Sequence, residues 1–228
     1  MIYKQLEVCL PEYLENLINL INKNKLENNF IFIGSFAFYF YTKLFNIDYN
    51  LRTRDIDLAV NNNPEKNINF SKILENNKWK INYDPVNNFS KFELDGVELE
   101  FLNIKFDSRV KYKSIKNLGI DTIVLPYINI LSENLCNICL NNKYNILIPS
   151  PEAFLIHKLI ISQRSDRNKE KKLKDIEQVK YLMKYVDPIE LINIMNNYIK
   201  NTNLKNYINS AISGITNKKQ MNTNFNLR

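Results

Sequence analysis

The sequence predicts an α/β fold, with an α/β part followed by a helical C-terminal domain. Three observations carry this. Helical apolar spacing alternates with short apolar runs as far as residue 76. Short period-two segments then take over up to Ile148. From Pro149 onward only helix-like spacing remains. The expected organisation is an α/β domain over 1–148, a helical domain over 149–215 and a polar tail over 216–228.

Pro11 to Glu27 reads as a helix, because Leu14, Leu17, Ile18 and Ile21 recur at helical spacing and Pro11 suits a first turn. Phe30 to Ile33 is a short buried strand. Gly34-Ser35 then turns the chain into an aromatic helix, Phe36 to Phe45. Asp55 to Val60 is a strand, broken by Asn61 to Pro64, and Glu65 to Asn76 reads as a helix. Segments from Trp79 and from Phe89 alternate, and Asp95-Gly96 is a hairpin turn that returns the chain as the strand from Val97. Ile120 to Tyr127, Asn137 to Leu140 and Tyr144 to Ile148 are further strands. Ser150 and Pro151 suit a helix cap and first turn, and helices follow over 153–162, 168–185, 188–198 and 204–212.

Composition narrows the classes. The chain has 228 residues, 45% apolar, with formal charge +7. That length suits one large domain or two small ones. The positive balance favours anionic partners such as nucleotides or RNA. Three cysteines and a start without a signal-peptide pattern argue against a disulfide framework. Cys136 and Cys139 have C-x-x-C spacing but lack two further ligands, and read as small apolar residues of a strand or hairpin. The longest apolar run, Phe30 to Phe45, is too short to cross a bilayer. The expected setting is cytoplasmic, with no membrane partner.

Chemistry concentrates in three places. Residues i and i+2 of a strand face the same way, so Asp55 and Asp57 project together while Ile56 and Leu58 face the core. Two adjacent carboxylates repel unless a cation lies between them, and hard oxygen ligands suit Mg²⁺. Glu98 and Glu100 share a face of a second strand. Were that strand beside the first, one of them would supply a third carboxylate for a pair of Mg²⁺ ions, the arrangement that stabilises an in-line displacement. Gly34 ends a buried strand and opens a helix, where the missing side chain lets phosphate approach the backbone and Ser35 and helix amides can hold it.

Ile33-Gly34-Ser35, then Asp55-Ile56-Asp57-Leu58, then the acidic strand to Leu102 resemble the DNA polymerase beta-like nucleotidyltransferase superfamily. Arg52 to Leu58 and the segment from Pro149 to Lys158, with Arg164 and Lys174-Asp175 after it, look like its minimal bacterial members. The resemblance spans roughly residues 30 to 185. It implies a small mixed β-sheet nucleotidyltransferase core flanked by helices and followed by a helical domain, and an NTP substrate, with Gly34 and Ser35 on the triphosphate, Asp55 and Asp57 on Mg²⁺, and Glu100 as the third acid, Glu98 being the alternative. Lys158 would reach the triphosphate, with Asp175 orienting Lys158 or Arg164. The implied reaction is transfer of NMP to an acceptor hydroxyl with release of pyrophosphate.

The resemblance leaves the acceptor open among RNA (tRNA ends included), small molecules and protein hydroxyls. Some such members are toxins paired with an antitoxin, so an antitoxin joins the candidate partners. The net charge tilts the choice toward RNA. The alternative function is a non-catalytic nucleotide- or RNA-binding module on the same fold. The chain departs from the pattern in a long interval between Ser35 and Asp55, and in glutamate at the third acidic position.

Overall fold

A computed structural model describes residues 3–51, 53–60, 67–86, 89–104 and 110–225. Arg52, the break at 61–64 and the start of the helix expected from Glu65 lie outside the described residues. The chain divides into two compact units, Met1–Ser150 and Pro151–Arg228.

The first unit runs β1 (Tyr3–Leu6), α1 (Glu12–Lys23), β2 (Phe30–Phe32), α2 (Gly34–Leu44), β3 (Ile56–Val60), α3 (Phe70–Asn76), β4 (Lys80–Asp84), β5 (Phe89–Leu94) and β6 (Val97–Ile104). It continues with β7 (Tyr112–Ile115), β8 (Ile120–Leu125), α4 (Ile128–Glu133), β9 (Leu135–Leu140) and β10 (Tyr144–Pro149). Among the described residues these strands form one mixed sheet, ordered β1-β9-β10-β2-β3-β6-β5-β4, with β8 beside β6 and β7 beside β8.

Alternation along the strands decides which face is core. Ile56, Leu58 and Val60 point to one side with Phe30, Phe92, Leu99 and Phe101, all at most 2% exposed. Phe70 of α3 lies 4.8 Å from Phe30, ring centre to ring centre, and Phe32 meets Phe40 of α2 at 5.9 Å. These contacts place α2 and α3 over that face. Burying each such ring contributes about 1.5–3 kcal/mol. The opposite face is covered at one end by α4, whose Ile128 and Leu131 pack with Ile31, Ala59 and Leu102. Beyond α4 that face carries carboxylates.

The Asp95-Gly96 turn takes positive φ at both residues, 50° and 75°, the conformation a two-residue hairpin loop requires. Three elements go beyond the sequence expectation. β1 is an edge strand pairing parallel with β9, β7 is a polar strand held by β8, and α4 begins where Tyr127 turns left-handed and ends β8 at Leu125. Cys136 is buried and Cys139 partly so within β9; both are free thiols.

The second unit comprises α5 (Pro151–Ser162), α6 (Lys169–Leu182), α7 (Pro188–Tyr198) and α8 (Thr202–Phe225). α5 is apolar nearly all round and buried on every side, with α6, α7 and α8 packed against it. Asn168 and Asp187 cap α6 and α7 with side-chain acceptors. α8 runs to Phe225, so helix continues into the stretch expected as a polar tail. Among the described residues no helix is long and apolar enough to cross a membrane.

Candidate active site

β3 and β6 are adjacent and parallel, and Asp57 is the register partner of Glu100. Register partners in neighbouring strands face the same side, so the two carboxylates share the face opposite the aromatic core. Asp55 precedes β3 by one residue and is exposed; Asp57 and Glu100 are half-buried. The Thr53 hydroxyl donates to Asp55 Oδ2 at 3.2 Å, and the Asp55 amide donates to Thr53 Oγ1 at 3.2 Å, which fixes the approach to the strand. Glu98 shares the parity of Glu100 but lies at the exposed end of β6, opposite Glu93 of β5.

The glycine turn abuts this pair. The Ile33 amide donates to the Asp57 carbonyl at 3.0 Å, tying the end of β2 to β3. Gly34 then takes φ +60°, and a Cβ placed on it would overlap the Asp57 carboxylate and stand 3.2 Å from its Cγ. Two independent constraints therefore demand glycine: the left-handed backbone and the close approach. Gly34 opens α2, whose cap residue Ile33 supplies no side-chain acceptor. The first amides of a helix lack acceptors within it, and its positive end attracts anions. The Asp57 carboxylate thus sits at a helix N-terminus, with half-buried Ser35 in the first turn.

Lys91 of β5 reaches across to this face. Its ammonium pairs with Glu100 and stands 3.4 Å from Glu98 Oε2. The hydrogen bond to Glu100, reinforced by both carboxylate charges, raises the Lys91 pKa above its ordinary value, against a smaller opposing effect of burial. Carboxylates on rigid strands suit a hard divalent cation in kind. In position, no group of three His, Cys, Asp or Glu side chains is gathered closely enough to hold an ion among the described residues. Glu100 is instead paired with the Lys91 ammonium.

In the helical unit, Lys158 Nζ donates to Asp175 Oδ1 at 2.9 Å, both side chains being buried. Arg167 grips the same carboxylate through two nitrogens, one bond being 3.0 Å. Arg164 instead forms a two-pronged pair with Asp166 on the surface, at 3.0 and 2.5 Å. His157 is buried, and its pKa falls to about 3, chiefly through desolvation and then through the charges of Lys158, Arg167 and Arg164. It is neutral at physiological pH.

Asp55, Asp57, Glu100, Gly34 and Ser35 thus belong to one unit, with Asp57 touching the glycine turn and sharing a register with Glu100. Lys158 and Asp175 meet in the other unit. The sequence reading did not single out Lys91 or the role of Arg167. For Lys91 a signal existed: a two-residue loop at Asp95-Gly96 fixes which residues of β5 and β6 stand opposite each other.

A family model described as Nucleotidyltransferase matches residues 14–196, and the chain belongs to that family. Membership supports nucleotidyl transfer as the general role. Among solved structures, the chain is similar to an antigenic nucleotidyltransferase-like protein from Paracoccidioides brasiliensis, with 14% identity, a TM-score of 0.46 and coverage of 88% of this chain and 94% of that one. No curated protein matches the chain.

Proposed function

We propose that the protein is a Mg²⁺-dependent nucleotidyltransferase of the polymerase beta-like type, transferring NMP from an NTP to an acceptor hydroxyl. The observation that carries this reading is the register pairing of Asp57 with Glu100 directly beside the Gly34 turn. The acceptor oxygen attacks the α-phosphorus and forms a new P–O bond. The bond from that phosphorus to the bridging oxygen breaks, pyrophosphate leaves, and the hydroxyl proton passes to a carboxylate or to water.

Asp55, Asp57 and Glu100 would hold Mg²⁺, two ions being expected for this chemistry. When bound, Mg²⁺ offsets the charge of the triphosphate and lowers the pKa of the acceptor hydroxyl. The chain's own groups position the reactants. Gly34 lets the Asp57 carboxylate stand against the turn, and the α2 N-terminus with Ser35 would supply donors to the triphosphate oxygens. Glu100, freed from Lys91, is the proposed proton acceptor. Lys158 and Arg164 are the proposed triphosphate cations, with Asp175 fixing Lys158 through its hydrogen bond.

The acceptor hydroxyl belongs to an RNA, a protein or a small molecule, and an antitoxin would be the partner if the protein acts as a toxin. A protein that binds NTP or RNA without turnover is the rival reading. The test is incubation with each α-³²P-labelled NTP, Mg²⁺, total RNA and soluble protein, beside the Asp55→Ala/Asp57→Ala variant. Label transferred by the wild type and absent with a folded variant is expected. RNA binding that persists without Mg²⁺, with no transfer from any NTP, would replace this reading with the rival.

A further inference from the structure

The face that carries Asp57 and Glu100 continues past β6 into a cleft of about 490 Å³. Register accounts for its lining apart from Tyr83, which has the opposite parity in β4. Lys91 pairs with Asn82 of β4, Phe89 pairs with Asp84, and Tyr112 of β7 pairs with Ile123 of β8. Leu102 pairs with Ile123, so these positions share the parity of Glu98 and Glu100. Asn82, Asp84, Phe89, Lys91, Glu98 and Tyr112 all line the cleft. Since Lys91 also holds Glu100, the cleft opens directly beside the proposed third ligand.

Its chemistry is specific. Phe89 is 3% exposed, and its ring supports the half-buried Tyr112 ring from below, centres 4.7 Å apart and planes tilted by 34°, so Tyr112 presents a backed aromatic surface to the cleft. Around this surface stand hydrogen-bonding groups. The Asn82 amide nitrogen donates to Glu93 at 2.8 Å, and Asp84 accepts from the Val86 amide at 2.9 Å. The charge is wrong for a polyanion. Asp84 and Glu98 are anionic, and the ammonium of Lys91 is already shared between Glu98 and Glu100. Nucleic-acid grooves need cations along the backbone track. The described lining supplies carboxylates instead. The volume falls within the roughly 300–1,000 Å³ of small-molecule sites.

We propose that this cleft is the acceptor site, and that the acceptor is a small hydroxyl-bearing ring compound with no net negative charge. Its ring lies on Tyr112, polar substituents meet Asn82 and Glu98, and one hydroxyl is presented toward Glu100. The basic excess of the chain then serves the triphosphate and the surface rather than the acceptor. This rests on the nucleotidyl-transfer reading.

The test uses the full chain with Mg²⁺ and α-³²P-labelled NTP. Three acceptor pools are offered separately: the small-molecule filtrate of a cell lysate, total RNA and soluble protein. Wild type is compared with Asn82→Trp, which fills the cleft from an exposed strand position, and with Tyr112→Ala, thermal melting reporting on folding in each. Mg²⁺-NTP binding is measured by calorimetry. The expected result is label in the filtrate pool, reduced by about tenfold or more in kcat/KM by a folded variant, with NTP affinity unchanged. Label in RNA or protein, or NTP binding with no label in the filtrate, overturns the acceptor assignment and leaves the transferase reading standing. Equal labelling by folded variants also overturns it. Loss of both NTP binding and transfer in the wild type overturns the transferase reading, and this one with it.

Discussion

Gly34 has no room for a side chain because the Asp57 carboxylate stands against it. The left-handed turn and the carboxylate are therefore one structural feature, and any side chain at residue 34 moves the carboxylate. Gly34→Ala is expected to cost about 1–2 kcal/mol from backbone strain alone and to abolish Mg²⁺-NTP binding. Gly96 supplies the control. It has φ +75° with nothing within 4 Å of an added Cβ. Gly96→Ala should show a similar strain and leave binding intact. Urea denaturation and calorimetric NTP titration of both variants separate strain from clash. Equal binding by the two variants would remove the glycine from the site.

Register separates the two glutamates of β6. Glu100 is opposite Asp57, whereas Glu98 is exposed at the strand's end. Glu100→Gln should lower transfer by about a hundredfold, the scale of losing one transition-state electrostatic contact, with little change in melting temperature. Glu98→Gln should lower it by much less. The two rates, measured on folded protein at saturating NTP, test the assignment; the reverse order would hand the third-ligand role to Glu98.

A cation entering the acidic face must replace the Lys91 ammonium at Glu100. Removing that ammonium removes a like charge from the neighbourhood of the ion. Lys91→Met should therefore bind Mn²⁺ more tightly, up to about tenfold, and more so at low salt, where screening is weaker. Paramagnetic titration of Mn²⁺ reads this without turnover. Unchanged affinity would mean that the ion does not meet Glu100.

Much of this site was legible before the structure. Alternation places Asp55 and Asp57 on one side of a strand, but β3 begins at Ile56 and carries Asp57 alone, Asp55 lying one residue before it; Asp95-Gly96 marks the hairpin whose second strand bears Glu100. What alternation cannot do is choose between Glu98 and Glu100, which share a parity. That choice needs the parallel pairing of β3 with β6, set by α3, β4 and β5 between them. The same limit hid β1, whose partner β9 lies at the far end of the unit. α4 was lost because six residues are too few for a helical period to stand out from an adjoining strand. Arg167 sat among six nearby basic residues on or before α6, and nothing local marked it as the one that turns inward to Asp175.

Asp175 is 1% exposed and serves Lys158 and Arg167 together. Removing it leaves the Lys158 ammonium buried without its carboxylate, while partly exposed Arg167 can turn to water. Breaking a buried pair from one side costs about 3–5 kcal/mol, so Asp175→Ala should destabilise the helical unit by about that amount. Asp175→Leu combined with Lys158→Met should recover much of the loss, since an apolar replacement leaves no unpaired charge. Denaturation followed by far-ultraviolet circular dichroism checks both, because the single tryptophan, Trp79, lies in the other unit. A loss in Asp175→Ala that the double variant does not reduce would assign the effect to Arg167 instead.

His157 makes the helical unit sensitive to acid. Its pKa drops from 6.5 in the unfolded chain to about 3 in the folded one, because burial and three neighbouring cations oppose its charge. Below the unfolded value the unfolded chain binds a proton that the folded chain refuses. Stability therefore rises with pH across this window, and its contribution is lost progressively as pH falls from about 6.5 toward 3. The limiting slope is about 1.4 kcal/mol per pH unit for one proton. His157→Phe removes the titrating group, so its denaturation midpoint should fall less than that of the wild type between about pH 7 and about pH 5. Parallel slopes for the two proteins would show that other groups carry the acid sensitivity and that His157 accepts its proton in the folded state.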